Sequence, residues 1–231
     1  MRGYLNVLII AASLGLPPLA MGSGGGGGAG SGNGMISTDG AVHTRNQVAK
    51  EAYLSAVRSI NAAKGYDADA AKASTPEKSA KAQAKAQKYY QEALTKLIDV
   101  VGLDPKMVEA WNYLGFTNRK LGRYEESLDS YAKALELNPN YPQALEYRGE
   151  AYLGLNQIED AKTAYMALFP NSRPLAEELM AAMHLWTDAR RKDAQGLSPE
   201  EVESFAQWID ERARIAAQTA SLATGAAPNW R

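Results

Sequence analysis

The chain has 231 residues, of which 45% are hydrophobic, and its 25 Lys and Arg nearly balance its 26 Asp and Glu. This composition is typical of one folded globular domain, and the balanced charge predicts no nucleic-acid partner. The chain contains no cysteine. Disulfides, thiolate metal ligands and a cysteine nucleophile are therefore excluded.

The first 22 residues have the pattern of a secretory signal peptide. Arg2 gives a positive start, residues 5–16 form a short apolar run, and two prolines follow. The run is too short to span a bilayer, and the small residues Ala20 and Gly22 suit a cleavage site. We expect residues 1–22 to be removed on export to a bacterial periplasm or the extracellular space, with no stable membrane insertion afterwards. A retained anchor, a buried core helix and cleavage after Ala20 are the alternatives.

Residues 23–40 are rich in glycine and serine, which predicts a flexible linker, with an engineered linker as the alternative. After it, apolar residues at helical spacing predict a helix over about 41–64. Gly65 stands where a left-handed C-cap belongs. The apolar face comprises Ala49, Ala52, Tyr53, Ala56, Val57 and Ile60.

A second long helix is predicted over 76–101. Thr75 is a capping residue, and Pro76 suits the first helical position. We expect one uninterrupted helix antiparallel to the first, although the sequence leaves open a division into two. Its apolar face comprises Tyr90, Ala93, Leu94, Leu97, Ile98 and Val101.

A period of 34 residues appears next. It relates Trp111 to Leu145, Gly115 to Gly149, Leu121 to Leu155, Tyr131 to Tyr165, and Pro105 to Pro139. Self-similarity at this spacing indicates stacked helical hairpins.

These positions resemble the tetratricopeptide repeat (TPR) signature, which is carried in the first unit by Trp111, Leu114, Gly115, Tyr124, Ser127, Tyr131, Ala134 and Pro139. Gly115 and Ser127 are small where two antiparallel helices touch, and Trp111 and Tyr131 fill the space between hairpins. The second unit departs at Arg148, where an apolar residue is usual, and at Pro174, which comes one residue late. We assign two TPR units to residues 108–175.

The flanking segments are expected to cap these two units, because hairpins bury their apolar faces only on neighbours. Residues 41–107 are interpreted as a divergent hairpin whose second half is repeat-like. Residues 176–220 are interpreted as capping helices, the last of which opens with a capping box from Ser198 to Glu201. Residues 221–231 are interpreted as a flexible tail.

The predicted fold is therefore all-α. The resemblance implies a right-handed superhelical stack of antiparallel helix hairpins, a TPR-like α-solenoid of about eight helices.

No convergent catalytic set is visible, so we expect no enzyme activity, no cofactor and no metal site. His184 and Asp188 lie one helical turn apart and could begin a metal site, but they lack a third ligand. The adjacent glutamates at 177–178 and 200–201 are interpreted as charges near helix N-termini.

The family resemblance implies a protein or peptide partner bound by the inner faces of the first helices. Carried over to this chain, the expected groove residues are Asn112, Tyr113, Phe116, Arg119, Lys120, Glu146, Tyr147 and Glu150. The alternative for Phe116 and the tyrosines is packing between hairpins. Glu146 and Tyr147 do not fit the family's carboxylate-clamp arrangement, so we do not expect carboxylate clamping.

The leading functional hypothesis is an exported scaffold or adaptor for protein–protein interaction. One alternative is a self-assembling structural protein of the cell envelope, a homo-oligomer supported by Trp186, Trp208 and Trp230 near the C-terminus. Another alternative is an accessory protein in envelope polymer metabolism, with the His184 and Asp188 pair as its support.

Overall fold

A computed structural model describes residues 38–223, with side chains from 44 to 219. This part of the chain forms eight α-helices and no strand, which confirms the all-α prediction. In chain order they are α1 Thr38–Ala71, α2 Pro76–Leu103, α3 Val108–Lys120, α4 Tyr124–Leu137, α5 Pro142–Gly154, α6 Ile158–Leu168, α7 Arg173–Lys192 and α8 Pro199–Ala223. The predicted signal peptide lies outside the described residues, as do residues 23–37 of the linker and 224–231 of the tail.

Consecutive helices pack in pairs, α1 with α2, α3 with α4, α5 with α6, and α7 with α8. The second helix of each pair then contacts the first helix of the next, and α5 also contacts α3 and α7. Four antiparallel hairpins therefore stack as an α-solenoid. Within residues 38–223, no helix has the length and apolar character required to cross a bilayer.

The first helix differs from its prediction at both ends. Residues 38–40, which we placed in the linker, already belong to α1, and the helix continues past Gly65 to Ala71. Gly65 is a predicted helix end, but the residues after it still pack against α2. Tyr66 stacks on Tyr89 of α2 with ring centroids 5.6 Å apart, and Ala70 is buried. These contacts stabilise a helical Gly65, so the C-cap prediction was wrong.

Two other boundaries also differ from prediction. The segment 76–101 is one helix, α2, and it extends to Leu103. At the C-terminal end, residues 221–223, which we assigned to the tail, still belong to α8.

Both predicted helix starts occur. The Thr75 hydroxyl accepts a hydrogen bond from the Lys78 backbone N–H at 3.3 Å. At α8, the Ser198 N–H donates to Glu201 Oε2 at 2.7 Å, and the Glu201 N–H donates to Ser198 Oγ at 3.1 Å. This reciprocal pair is the predicted capping box, and it satisfies two N–H groups that a helix start leaves unpaired.

The repeat glycines lie where helices come closest. A Cβ on Gly115 would stand 2.5 Å from Cε1 of Tyr131, and one on Gly149 would stand 2.6 Å from Cδ2 of Leu179. Ser127 Oγ donates to the Gly115 carbonyl at 2.8 Å, which joins α4 to α3. The glycine pair of the 34-residue period therefore marks positions where only a very small side chain fits.

The tryptophans near the C-terminus differ in their exposure to solvent. Trp186 is 1% exposed, and its indole N–H donates to the Leu153 carbonyl at 2.6 Å. Trp208 is half-buried against Phe205, and Trp230 lies outside the described residues. Trp186 is thus a core residue of the last hairpins, so it does not support self-assembly through exposed tryptophans.

The glycine contacts generate a paired prediction. Gly115→Ala forces a methyl group into the Tyr131 ring and should destabilise the protein by about 1–3 kcal/mol. Gly65→Ala is the matched control, because nothing lies within 4 Å of its Cβ position. It should stabilise α1 by up to about 1 kcal/mol through helix propensity. Urea unfolding of both variants measures the difference, and equal effects on the free energy of unfolding would contradict this packing.

Candidate functional site

The first helices of the hairpins form the inner face of the stack. α3 and α5 contact each other directly, as do α5 and α7. α1 joins them through the ring of Tyr53, which lies 6.0 Å from that of Tyr113 on α3, and through Lys64, whose Nζ lies 4.8 Å above the Phe116 ring. We call this surface, formed by the facing side chains of α1, α3, α5 and α7, the inner face.

All eight residues of the expected groove belong to α3 and α5, and the structure brings them together on this face. Tyr113, Lys120 and Tyr147 are half-buried. The other five are nearly inaccessible, with exposed fractions of 3% for Asn112, 1% for Phe116, 6% for Arg119, 2% for Glu146 and 4% for Glu150. The expected open groove is therefore largely filled by its own side chains.

Phe116 is the centre of an aromatic cluster. Its ring centroid lies 5.2 Å from that of Tyr147, 6.0 Å from Tyr90 and 6.4 Å from Tyr113. The Arg119 guanidinium lies 5.4 Å from the same centroid. The packing alternative therefore describes Phe116, whereas Tyr113 and Tyr147 remain partly exposed.

A buried charge cluster joins α3 to α5. The Arg119 Nη1 donates to Glu150 Oε2, and both side chains are buried. Glu146 lies on the same side of α5 as Glu150. Burial and the neighbouring Glu150 charge raise the pKa of Glu146 well above 4.5, and Arg119 only partly offsets this shift. Asn112 is buried on the same face, and its Oδ1 has no hydrogen-bond partner within residues 38–223.

Further charges border this cluster, and sequence reasoning missed most of them. Lys120 Nζ lies 2.7 Å from Asp67 Oδ2, an oxygen that also accepts a 2.7 Å hydrogen bond from the Tyr90 hydroxyl. Burial, together with Lys120 and Arg119, lowers the pKa of the Lys64 ammonium. Burial and Glu150 raise the pKa of Glu178 on α7. Lys64 is the last residue of the predicted first helix but gave no signal of its place in the site, and Asp67 could have been found only by extending α1 past Gly65.

A tyrosine group occupies the edge of the inner face where α3 begins. Tyr53, Tyr113 and Tyr141 lie near Glu109, and all three rings are half-buried. Burial, followed by the Glu109 charge, raises the pKa of Tyr141 to about 12, so its hydroxyl remains protonated at neutral pH. The sequence indicated Tyr53 only as part of an apolar helix face. Tyr141 precedes α5 and gave no signal.

His184 and Asp188, which we considered as the start of a metal site, have no third ligand among the described residues. Asp188 Oδ1 accepts a 3.1 Å hydrogen bond from Arg191, and His184 is exposed. Among the residues described, no group of three or more His, Asp or Glu side chains is placed to hold a metal ion. The pair therefore gives no support to a role in polymer metabolism.

The raised pKa of Glu146 generates a prediction about pH. The folded state binds a proton that the unfolded chain releases above its ordinary pKa of 4.5. The free energy of unfolding should therefore fall as pH rises from there through the raised pKa, by up to about 1.4 kcal/mol per pH unit. Glu146→Gln keeps the shape of the side chain and removes the contribution of this carboxyl to the pH dependence of the free energy of unfolding.

Chemical unfolding of wild type and Glu146→Gln across a pH series tests this. Lys64, Arg119, Glu150 and Glu178 face Glu146 from α1, α3, α5 and α7, and both proteins retain them. The stability of the variant relative to wild type should increase with pH. A difference that stays constant with pH would contradict a raised pKa.

Comparisons with known proteins agree with this architecture. Residues 108–141 and 130–163 each match a tetratricopeptide repeat family. The Hsp70-Hsp90 organising protein of Plasmodium falciparum is 28% identical over 93 residues, which cover 39% of this chain and 37% of that protein. The chain thus spans little more than a third of the length of this curated relative.

A solved structure of MamA protein is 18% identical and covers 78% of this chain and 96% of that chain, with a TM-score of 0.40. A score this low adds no argument of its own. The assignment instead depends on the sequence period, the glycine contacts and the matched segments, which coincide in residues 108–163. Residues 108–163 of this chain therefore form tetratricopeptide repeats.

Proposed function

We propose that this protein is a non-catalytic interaction scaffold that binds a peptide or a partner protein at its inner face. The observation that carries the proposal is the arrangement of Tyr113, Tyr147 and Lys120, which are half-buried above a fully buried polar cluster. Partly exposed aromatic residues over a rigid base are typical of binding surfaces. The name of the Plasmodium relative, an organising protein, supports the same class of function.

The rigidity of this surface favours binding. Arg119 and Glu150 connect α3 to α5, and Phe116 packs against tyrosines from α2, α3 and α5. Side chains already fixed by packing lose little conformational freedom when a partner arrives. The buried members of the predicted groove are therefore positioning residues, and the half-buried ones make the contact.

The chemistry of the face limits the kind of partner. Lys64 and Lys120 lie on one side of it, and Glu146 and Glu178 lie on the other. Together with the half-buried tyrosines, these charges suit a peptide segment that carries an apolar or aromatic side chain and hydrogen-bond donors. Arg119 is already paired with Glu150, which argues against a clamp for a terminal carboxylate.

A double variant tests the inner face. Tyr113→Ala with Lys120→Ala removes exposed aromatic surface and one cation, and should weaken partner binding at least about tenfold. Tyr89→Ala is the control, because this half-buried tyrosine lies on α2, where its ring stacks on Tyr66 outside the inner face.

Quantitative affinity capture from native extracts, with circular dichroism as the folding check, measures the effect. Once a partner is identified, titration calorimetry gives its affinity for each variant. A partner retained equally by wild type, the double variant and the control would place binding elsewhere on the protein.

We further propose that the protein is exported, to a bacterial periplasm or the extracellular space. The support is the signal-like sequence of residues 1–22. Mass spectrometry of native protein should find a mature N-terminus at Ser23, or at Met21 if cleavage follows Ala20. An intact Met1 in the native protein would contradict export with cleavage.

A further inference from the structure

Two outer helix faces carry opposite charges at three of four matched positions, and the fourth pairs Lys85 with the neutral Gln207. On α2, Lys78, Lys81, Lys85 and Lys88 follow one another at spacings of three, four and three residues. On α8, Glu200, Glu203, Gln207 and Asp210 follow at the same spacings. Residues at these spacings share one helix face. We call the two sets the lysine stripe and the carboxylate stripe.

All eight side chains are exposed, although the chain as a whole has a net charge of only −1. Residues 78–91 contain four lysines and no acidic residue, whereas residues 193–211 contain six acidic residues and no basic one. Each helix segment thus contributes charge of one sign to its stripe. The two belong to the first and last hairpins of the stack.

Few bonds within the described chain engage these charges. Lys81 and Lys88 have no hydrogen bond or ion pair there, and neither have Glu200 and Asp210. Glu203 is held by Arg191 at 2.7 Å. Most of the stripe charge therefore remains available to a partner.

A cleft of about 190 Å³ adjoins the lysine stripe. Lys78, Lys81 and Lys85 line it, together with Tyr66 and Asp69 of α1. Lys85 Nζ lies 4.9 Å from the centroid of the Tyr66 ring, which itself stacks on Tyr89. The lysine stripe thus lines one side of a cleft that also contains the Tyr66 ring.

The register between the two stripes continues beyond them. A constant offset of 122 residues pairs Lys78 with Glu200, Lys81 with Glu203, Lys85 with Gln207 and Lys88 with Asp210. One turn further, the same offset pairs Glu92 of α2 with Arg214 of α8. Here the acidic residue is on α2 and the basic one on α8, so the two charges are again opposite. If α2 of one molecule lies parallel to α8 of another, all five residue pairs are matched, whereas an antiparallel alignment loses the pair of Glu92 with Arg214.

We propose that the lysine stripe of one copy of this protein binds the carboxylate stripe of a second copy. The contact is head to tail, since it joins the first hairpin of one molecule to the last hairpin of another. Such an interface leaves one stripe free at each end of the pair, so it can extend to longer assemblies. It goes beyond the proposed binding at the inner face, because none of its residues belongs to that face.

Reciprocal charge reversal tests the proposal with full-length protein. The variant Lys78→Glu/Lys81→Glu/Lys88→Glu makes the α2 face acidic. It retains the contact between the Lys85 ammonium and the Tyr66 ring. The variant Glu200→Lys/Gln207→Lys/Asp210→Lys makes the α8 face basic and leaves the bond between Glu203 and Arg191. Each variant then carries two faces of the same sign.

Sedimentation velocity provides the measurement. Wild type should associate at an ionic strength of about 10 mM, where the Debye length is about 30 Å, and dissociate as salt is added. Each triple variant alone should associate at least about tenfold more weakly, since exposed ion pairs are replaced by like charges. An equimolar mixture of the two should recover association, because the native lysine stripe of one meets the native carboxylate stripe of the other.

The matched control for the lysine-stripe variant is Lys50→Glu/Lys106→Glu/Lys133→Glu, which makes the same change in net charge at exposed lysines outside both stripes. It should associate like wild type. Circular dichroism of every variant verifies folding. The proposal is overturned if wild type remains monomeric at low salt, if the mixture fails to recover association, or if the control weakens association as much as the triple variants. A monomeric wild type retained by phosphatidylglycerol vesicles through its lysines would also overturn it, in favour of a lipid surface.

Discussion

The close approach of α3 and α4 at Gly115 is the constraint on which the repeat depends. The ring of Tyr131 occupies the space that a Cβ at Gly115 would need, and Ser127 bonds the carbonyl of the same glycine. The missing Cβ lets a large aromatic residue fill the hairpin without separating its helices. Gly149 repeats the arrangement against Leu179 of α7, so the same rule also joins neighbouring hairpins.

This close packing determines the character of the inner face. Because α3 and α5 lie side by side, Arg119 and Glu150 are removed from water and must satisfy each other. Glu146 has no cation of its own, and burial favours its neutral form. The result is a surface whose central charges hold helices together, while the surrounding tyrosines and lysines retain contact with solvent.

Much of the fold could be predicted from sequence, because its signals are local or periodic. The capping residues Thr75 and Ser198 and the spacing of Gly115 and Gly149 each specify a contact within one or two helices. The end of α1 could not be predicted this way. Whether Gly65 ends a helix depends on what packs beyond it, and that contact comes from α2.

The candidate site was predicted less completely for a related reason. Its residues could be named from their repeat positions, but their burial depends on how closely successive first helices approach. That distance is set by packing between hairpins, in which α1 brings Lys64 over Phe116. Likewise, the burial of Trp186 depends on contacts from other helices, since its indole N–H donates to the carbonyl of Leu153 on α5 and its ring packs against Phe205 of α8.

The raised pKa of the Glu146 carboxyl has a consequence for recognition. A cationic group that a partner placed beside this carboxyl would favour its ionised form and so lower its pKa. At pH values below the raised pKa, binding would then release a proton to the buffer, and the affinity for such a partner would rise with pH. A neutral partner would leave the proton in place. The inner face could therefore distinguish ligands by proton exchange as well as by shape.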